Sequence, residues 1–96
     1  MEAARRDLRD IHRHLEETLE DLRIADSVVE QLVTQCEHLA ELSGTLGRPR
    51  TEFGTDIRSF PFRGYTLFFR YTQDEMQVVH IVNSRRDLDG PFEDAD

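Results

Sequence analysis

Ile57-Arg58-Ser59-Phe60-Pro61-Phe62-Arg63-Gly64-Tyr65-Thr66-Leu67-Phe68-Phe69-Arg70-Tyr71 decides the fold. The run is rich in aromatic and β-branched residues, it is broken once by Arg-Gly, and on either side of that break the pattern suits extended chain. It predicts a strand over 57–62, a tight turn at Arg63-Gly64 and a second strand over 65–71. Pro61 has no N–H to give to a ladder, which points to an edge strand or a bulge. Gln73-Asp74 marks the next turn, and residues 76–83 form a third strand. Three strands in hairpin order make an antiparallel meander. Its middle strand carries apolar residues toward both faces.

Upstream the period changes from two to the helical repeat. Ala4, Leu8, Ile11, Leu15, Leu19 and Leu22 recur at three- and four-residue steps, one apolar stripe of a helix over about 2–21. Val28, Val29, Leu32, Val33, Cys36, Leu39, Ala40 and Leu42 place a second helix over about 26–43. Asp26 or Ser27 can cap its start, Glu30 can close a box with Ser27, and Ser43-Gly44 ends it. Residues 44–50 hold two glycines and a proline and read as loop. Helices first and strands after predict an α+β domain: an αα-hairpin on one face of a three-stranded sheet. Phe60, Phe62, Tyr65, Leu67, Phe68, Phe69, Val79 and Ile81 are too many apolar side chains for the other face to stay in water. That surplus points to a protein partner.

Ninety-six residues bound the chain to one domain, 1–96. No apolar run reaches the roughly 20 residues of a membrane helix, and no apolar leader follows Met1. With Cys36 as the one cysteine, no internal disulfide forms, and a cytoplasmic location fits. The net charge of −8 is unevenly spread. Residues 1–47 carry −6, residues 48–86 carry +3, and the tail 87–96 carries five acids and no base. All twelve basic residues are arginine, which excludes lysine-dependent catalysis. His12, His14, His38 and His80 have no metal-ligand spacing, and Cys36 sits on an apolar stripe as a small hydrophobe. No metal or cofactor is expected.

Several strings, in this order and spacing, resemble the ParE branch of the ParE/RelE toxin superfamily. They are residues 4–11 (Ala-Arg-Arg-Asp-Leu-Arg-Asp-Ile), Leu46-Gly47-Arg48-Pro49-Arg50, Ile57-Arg58-Ser59-Phe60, residues 65–70, Val78-Val79-His80-Ile81 and Ser84-Arg85-Arg86-Asp87. The resemblance implies the toxin of a type II toxin–antitoxin pair, neutralised by a ParD-like antitoxin and directed at DNA gyrase. Such toxins bind protein and carry no active site of their own. Members of that family begin with a strand before the first helix, whereas here Met1 stands only a few residues ahead of the matching helical string. The resemblance therefore implies a sheet one strand short, or an open edge paired by another chain.

A RelE-like ribosome-dependent mRNA endonuclease is the alternative, and an inactive structural relative a third reading. The nuclease needs groups that move protons beside the scissile phosphate. After the third strand this chain offers Arg85-Arg86-Asp87 with no Tyr or His, and arginine stays charged. Arg58, Arg70, Arg85 and Arg86 are the candidates for phosphate or target binding. Arg48, Arg50, Phe60, Phe62 and Tyr65 are the candidates for antitoxin contact. With a two-residue Arg63-Gly64 loop, Arg58 lies opposite Phe69 and faces away from Arg70; with a three-residue loop the two share a face.

Overall fold

In a computed structural model, residues 2–42, 44–73 and 75–85 are described. Two helices come first, α1 (Glu2–Leu19) and α2 (Leu22–Glu41). Four strands follow: β1 (Arg48–Pro49), β2 (Arg58–Phe62), β3 (Tyr65–Thr72) and β4 (Glu75–Asn83). They form one antiparallel sheet in the order β1-β2-β3-β4. The α+β architecture and the meander over 58–83 are as expected, and the sheet has one strand more than the three read from sequence. The addition is β1, where Arg48 pairs with Ser59 and Pro49 with Arg58. Two residues are too few to show a period, and Gly47 and Pro49 disguise them as loop.

The helical break falls earlier than the apolar pattern suggests. Glu20 adopts a positive φ of 51°, and Asp21 caps α2 by accepting a hydrogen bond from the Arg23 N–H. Asp21, not Asp26 or Ser27, is thus the cap; Ser27 lies inside α2, where its hydroxyl accepts from Gln31. Leu19 and Leu22, read as the end of the first stripe, stand exposed at the tip of the hairpin. His12 of α1 meets Asp26 of α2 at 2.6 Å and pins the two helices together.

The β2–β3 connection settles the register. Phe62 pairs with Tyr65, so Arg63-Gly64 is a two-residue loop. Both residues have positive φ, 51° and 83°, as the twisted turn of a short hairpin requires. Arg58 then lies opposite Phe69, and Arg70 points to the other face. A register shift between Phe68 and Phe69 pairs them with His80 and Val78, leaving Val79 as the extra residue of a bulge.

Each face of the sheet has its own core. Under the helices, Leu67, Phe69 and Ile81 pack with Leu32 and Leu39 of α2, flanked by Leu8, Ile11, Val28 and Cys36. On the back, Phe68, Val79 and Val82 are covered by Phe53 and Ile57. These two come from the chain between β1 and β2, which turns under the sheet through hydrogen bonds such as Phe53 N–H to Arg50 O. The apolar surplus assigned to a partner is therefore largely covered by the protein's own chain. Phe53 meets Phe68 edge-on at 5.3 Å, and the Arg50 guanidinium lies 5.0 Å and 5.5 Å from the two ring centres.

β4 is the outermost strand at its end of the sheet, and α1 leans on it. The Asp7 carboxylate accepts from the Ile81 backbone N–H and contacts His80 Nδ1, both at 2.9 Å. A backbone donor that would otherwise face an empty edge is thereby satisfied. Asp7→Ala will leave both groups without this acceptor and cost about 1–3 kcal/mol in urea unfolding, while Asp7→Asn, keeping an acceptor, will recover part of the loss.

Candidate functional site

The arginines do not converge. Arg58 faces the helices and donates from Nε to the Leu46 carbonyl at 2.7 Å and from Nη2 to the Gly47 carbonyl at 2.8 Å. It ties the loop after α2 to the sheet. Arg70, one residue beyond Phe69, lies on the other face and donates to Gln77 Oε1 at 3.1 Å. Arg50 is stacked on the back-face aromatics and donates to Glu52 and Ser59. The Glu52 carboxyl is held below its ordinary range first by its own backbone N–H and then by Arg50. Arg48 is exposed opposite Ser59. Arg85 is exposed past the far end of β4, with its backbone N–H on Asn83. Arg86 lies outside the described residues.

Of the aromatic candidates, Phe60 pairs with Leu67 and packs on the helix-side core. Phe62 and Tyr65 pack on the same core and also line a cleft. They face each other across the hairpin and line an open groove of about 360 Å³ between the Arg63-Gly64 turn and the first half of α2. The helical wall is Ile24, Ser27, Val28, Gln31 and Leu32; Arg63 closes the sheet side. A shallower depression continues from it past Glu30, Thr34 and Gln35. The groove exists because the helices sit toward β4 and make no comparable contact with β2. Ile24 is 43% exposed on its rim, and Leu19 and Leu22 extend the apolar surface to the hairpin tip.

The chemistry of the groove is that of a binding surface. Its floor is aromatic, its walls carry neutral hydrogen-bonding groups, and its rim offers one cation, Arg63, which lies 5.5 Å from the Phe62 ring centre. Burial pushes the Tyr65 hydroxyl above its ordinary pKa, so it remains a neutral donor at physiological pH. Phe62 and Tyr65 were legible as candidates because they flank a turn. Ile24, Ser27, Val28, Gln31 and Arg63 were not, since Ile24 falls before the expected helix start and the rest become a wall only when α2 is placed over the hairpin. Among the described residues, no three His, Cys, Asp or Glu side chains gather as a metal site. No helix among them is long and apolar enough to cross a membrane.

Cys36, half-buried on the core-facing side of α2, is chemically quiet. Burial, with the nearby Glu37 charge second, pushes its thiol from 9.0 up to about 11. The folded chain thus holds the thiol proton more tightly than the unfolded chain does. This contribution to stability is complete below pH 9 and declines as pH rises toward 11. At pH 8 the folded protein will react with a thiol reagent roughly 100-fold more slowly than the same protein in urea.

Residues 1–88 match the family model described as the ParE toxin of the type II toxin–antitoxin system, parDE. No curated protein matches the chain.

Proposed function

The chain belongs to the ParE toxin family of type II toxin–antitoxin systems, and from that premise we propose that it acts in the cytoplasm by binding protein. The proposed target is DNA gyrase, and the proposed neutralising partner is a ParD-like antitoxin whose apolar segment seats in the groove over Phe62 and Tyr65. The observation that carries this reading is the groove itself. It is an aromatic-floored cleft beside exposed Ile24, in a domain whose two sheet faces are each covered by a core cluster. Buried aromatic contacts of this kind dominate protein–protein affinity.

The arrangement of arginines supports binding over phosphodiester cleavage. Arg58 is committed to two backbone carbonyls, and Arg70 faces away from it, so the pair does not close on one phosphate. Induced expression of the chain will arrest growth and raise the DNA-damage response, and co-expression of its antitoxin will restore growth. The purified chain will inhibit gyrase supercoiling. Ile24→Asp, which alters an exposed rim residue and spares the core, will weaken antitoxin binding about tenfold or more while leaving the melting temperature near wild type. Primer extension on a translated message showing cleavage inside codons would replace this reading with the ribonuclease. Antitoxin binding without any growth effect would leave an inactive relative.

A further inference from the structure

We propose that the Asp7 carboxylate is an edge guard: it occupies the Ile81 N–H on the outer margin of β4 and so keeps that strand from pairing with β4 of a second copy. β4 is the strand that most needs a guard. Its nine residues make it the longest, and among the described residues no strand lies beyond it. Residues 76–82, Met-Gln-Val-Val-His-Ile-Val, contain no Asp, Glu, Lys, Arg, Gly or Pro. A stretch of this composition on the margin of a sheet is a template for another strand.

The Ile81 N–H donates to Asp7 Oδ2 at 2.9 Å, where the carbonyl of an added strand would otherwise sit. The same oxygen meets His80 Nδ1 at 2.9 Å, which fixes the carboxylate against the strand. The Asp7 side chain is only 20% exposed, and Ala3 and Ala4 are buried in the turn of α1 before it, so the group is seated rather than swinging in solvent. The bulge at Val79 twists the same stretch and hinders a flat partner. The opposite margin is blunted by other means: β1 covers Arg58 and Ser59, and Pro61 beyond them has no N–H to offer. The open edge that the family resemblance implies is thus closed by a helix side chain instead of a strand.

A second copy is the occupant that an unguarded edge would take. Two β4 strands related by a two-fold axis run antiparallel and offer each other the same sequence, so valine and isoleucine stand beside valine and isoleucine. The charges agree with that direction. Glu75 opens β4 and Arg85 follows its end, and both are exposed. Antiparallel pairing sets Glu75 of each copy toward Arg85 of the other, whereas parallel pairing would set like charges together. Nothing in this device involves the groove over Phe62 and Tyr65.

Sedimentation velocity of the full-length chain over a concentration series reads the guard. Asp7→Ala will dimerise at concentrations at least about tenfold below any at which the wild type does. Asp7→Asn, which keeps an acceptor for Ile81, will behave as the wild type. Adding Glu75→Arg to Asp7→Ala will weaken the dimer, and adding Arg85→Glu to both will restore it. A folded Asp7→Ala that stays monomeric throughout overturns the proposal. So does a dimer indifferent to Glu75→Arg, or a wild type that dimerises as readily as Asp7→Ala. Should Asp7→Ala not fold, amide hydrogen exchange decides in its place. Slow exchange at Ile81 in the wild-type monomer, kept in Asp7→Asn, upholds the guard, and exchange there at the rate of an unstructured peptide overturns it.

Discussion

Phe69→Ala will lower the unfolding free energy by about 3–5 kcal/mol. Phe69 has no exposed surface and stands at the centre of the helix-side core, among Leu32, Leu39, Leu67 and Ile81. Its ring meets Tyr71 edge-on at 5.8 Å, and the Tyr71 hydroxyl accepts from the Leu46 N–H at 3.2 Å. Truncation therefore opens a cavity and also loosens the ring that holds the loop after α2. Domains of this size have only about 5–15 kcal/mol in total, so the variant will sit near the edge of folding. The expected readout is a fall in melting temperature of at least ~12 °C, with a matching drop in urea midpoint. Phe69→Leu, which refills most of the space, will recover a large part of the loss. An alanine variant within about 1 kcal/mol of wild type, well below the cost of truncating a buried Phe, would mean that the helices do not pack on this face.

Gly47→Ala will be the most damaging single-methyl change, at about 2–5 kcal/mol. Gly47 has φ +79°, and a Cβ there would come within 2.7 Å of Phe69 Cζ and 2.7 Å of the Ser59 backbone oxygen. The Phe69 ring has no room to retreat. Ser59 is held in the ladder by Arg48, the next residue after Gly47. Strain and clash therefore act together, and the chain must choose between losing β1 and displacing the core. Gly44→Ala is the internal control. Its φ is +87°, but nothing lies within 4 Å of the added methyl, so it will cost only the backbone term of about 1–2 kcal/mol. The difference between the two variants, read by urea unfolding, measures the close approach alone. Equal losses would show that φ and not contact governs Gly47.

Much of this architecture could be read directly from the order of residues. The helices betray themselves through apolar stripes such as Ala4-Leu8-Ile11, and the strands through the aromatic run 57–71 cut by Arg63-Gly64. These signals are local, because helical and extended backbones repeat every few residues. What failed were matters of one or two residues. Asp21 caps α2 because Glu20 takes a left-handed turn, an event that leaves no Gly or Pro marker. Arg48–Pro49 pairs with β2 because Gly47 brings it alongside, although two residues carry no period of their own.

The candidate site was legible only in pieces. Phe60, Phe62 and Tyr65 all pack on the helix-side core, and only Phe62 and Tyr65, beside the turn, also line the groove. Arg50 and Arg58 carried the charge expected of a binding residue, but one is stacked on Phe53 and Phe68 and the other is consumed by two carbonyls. The back face was expected to need a partner, and Phe53 and Ile57 cover it instead.

Sequence alone determined the class, two amphipathic helices followed by an antiparallel meander, because hydrophobic period is fixed by backbone geometry within a few residues. Tertiary structure alone decided which arginines are structural, which edge donor Asp7 satisfies, and where a groove stays open. Those outcomes depend on how α1 and α2 settle over β4, and contacts between residues as distant as Asp7 and Ile81 leave no trace in local order.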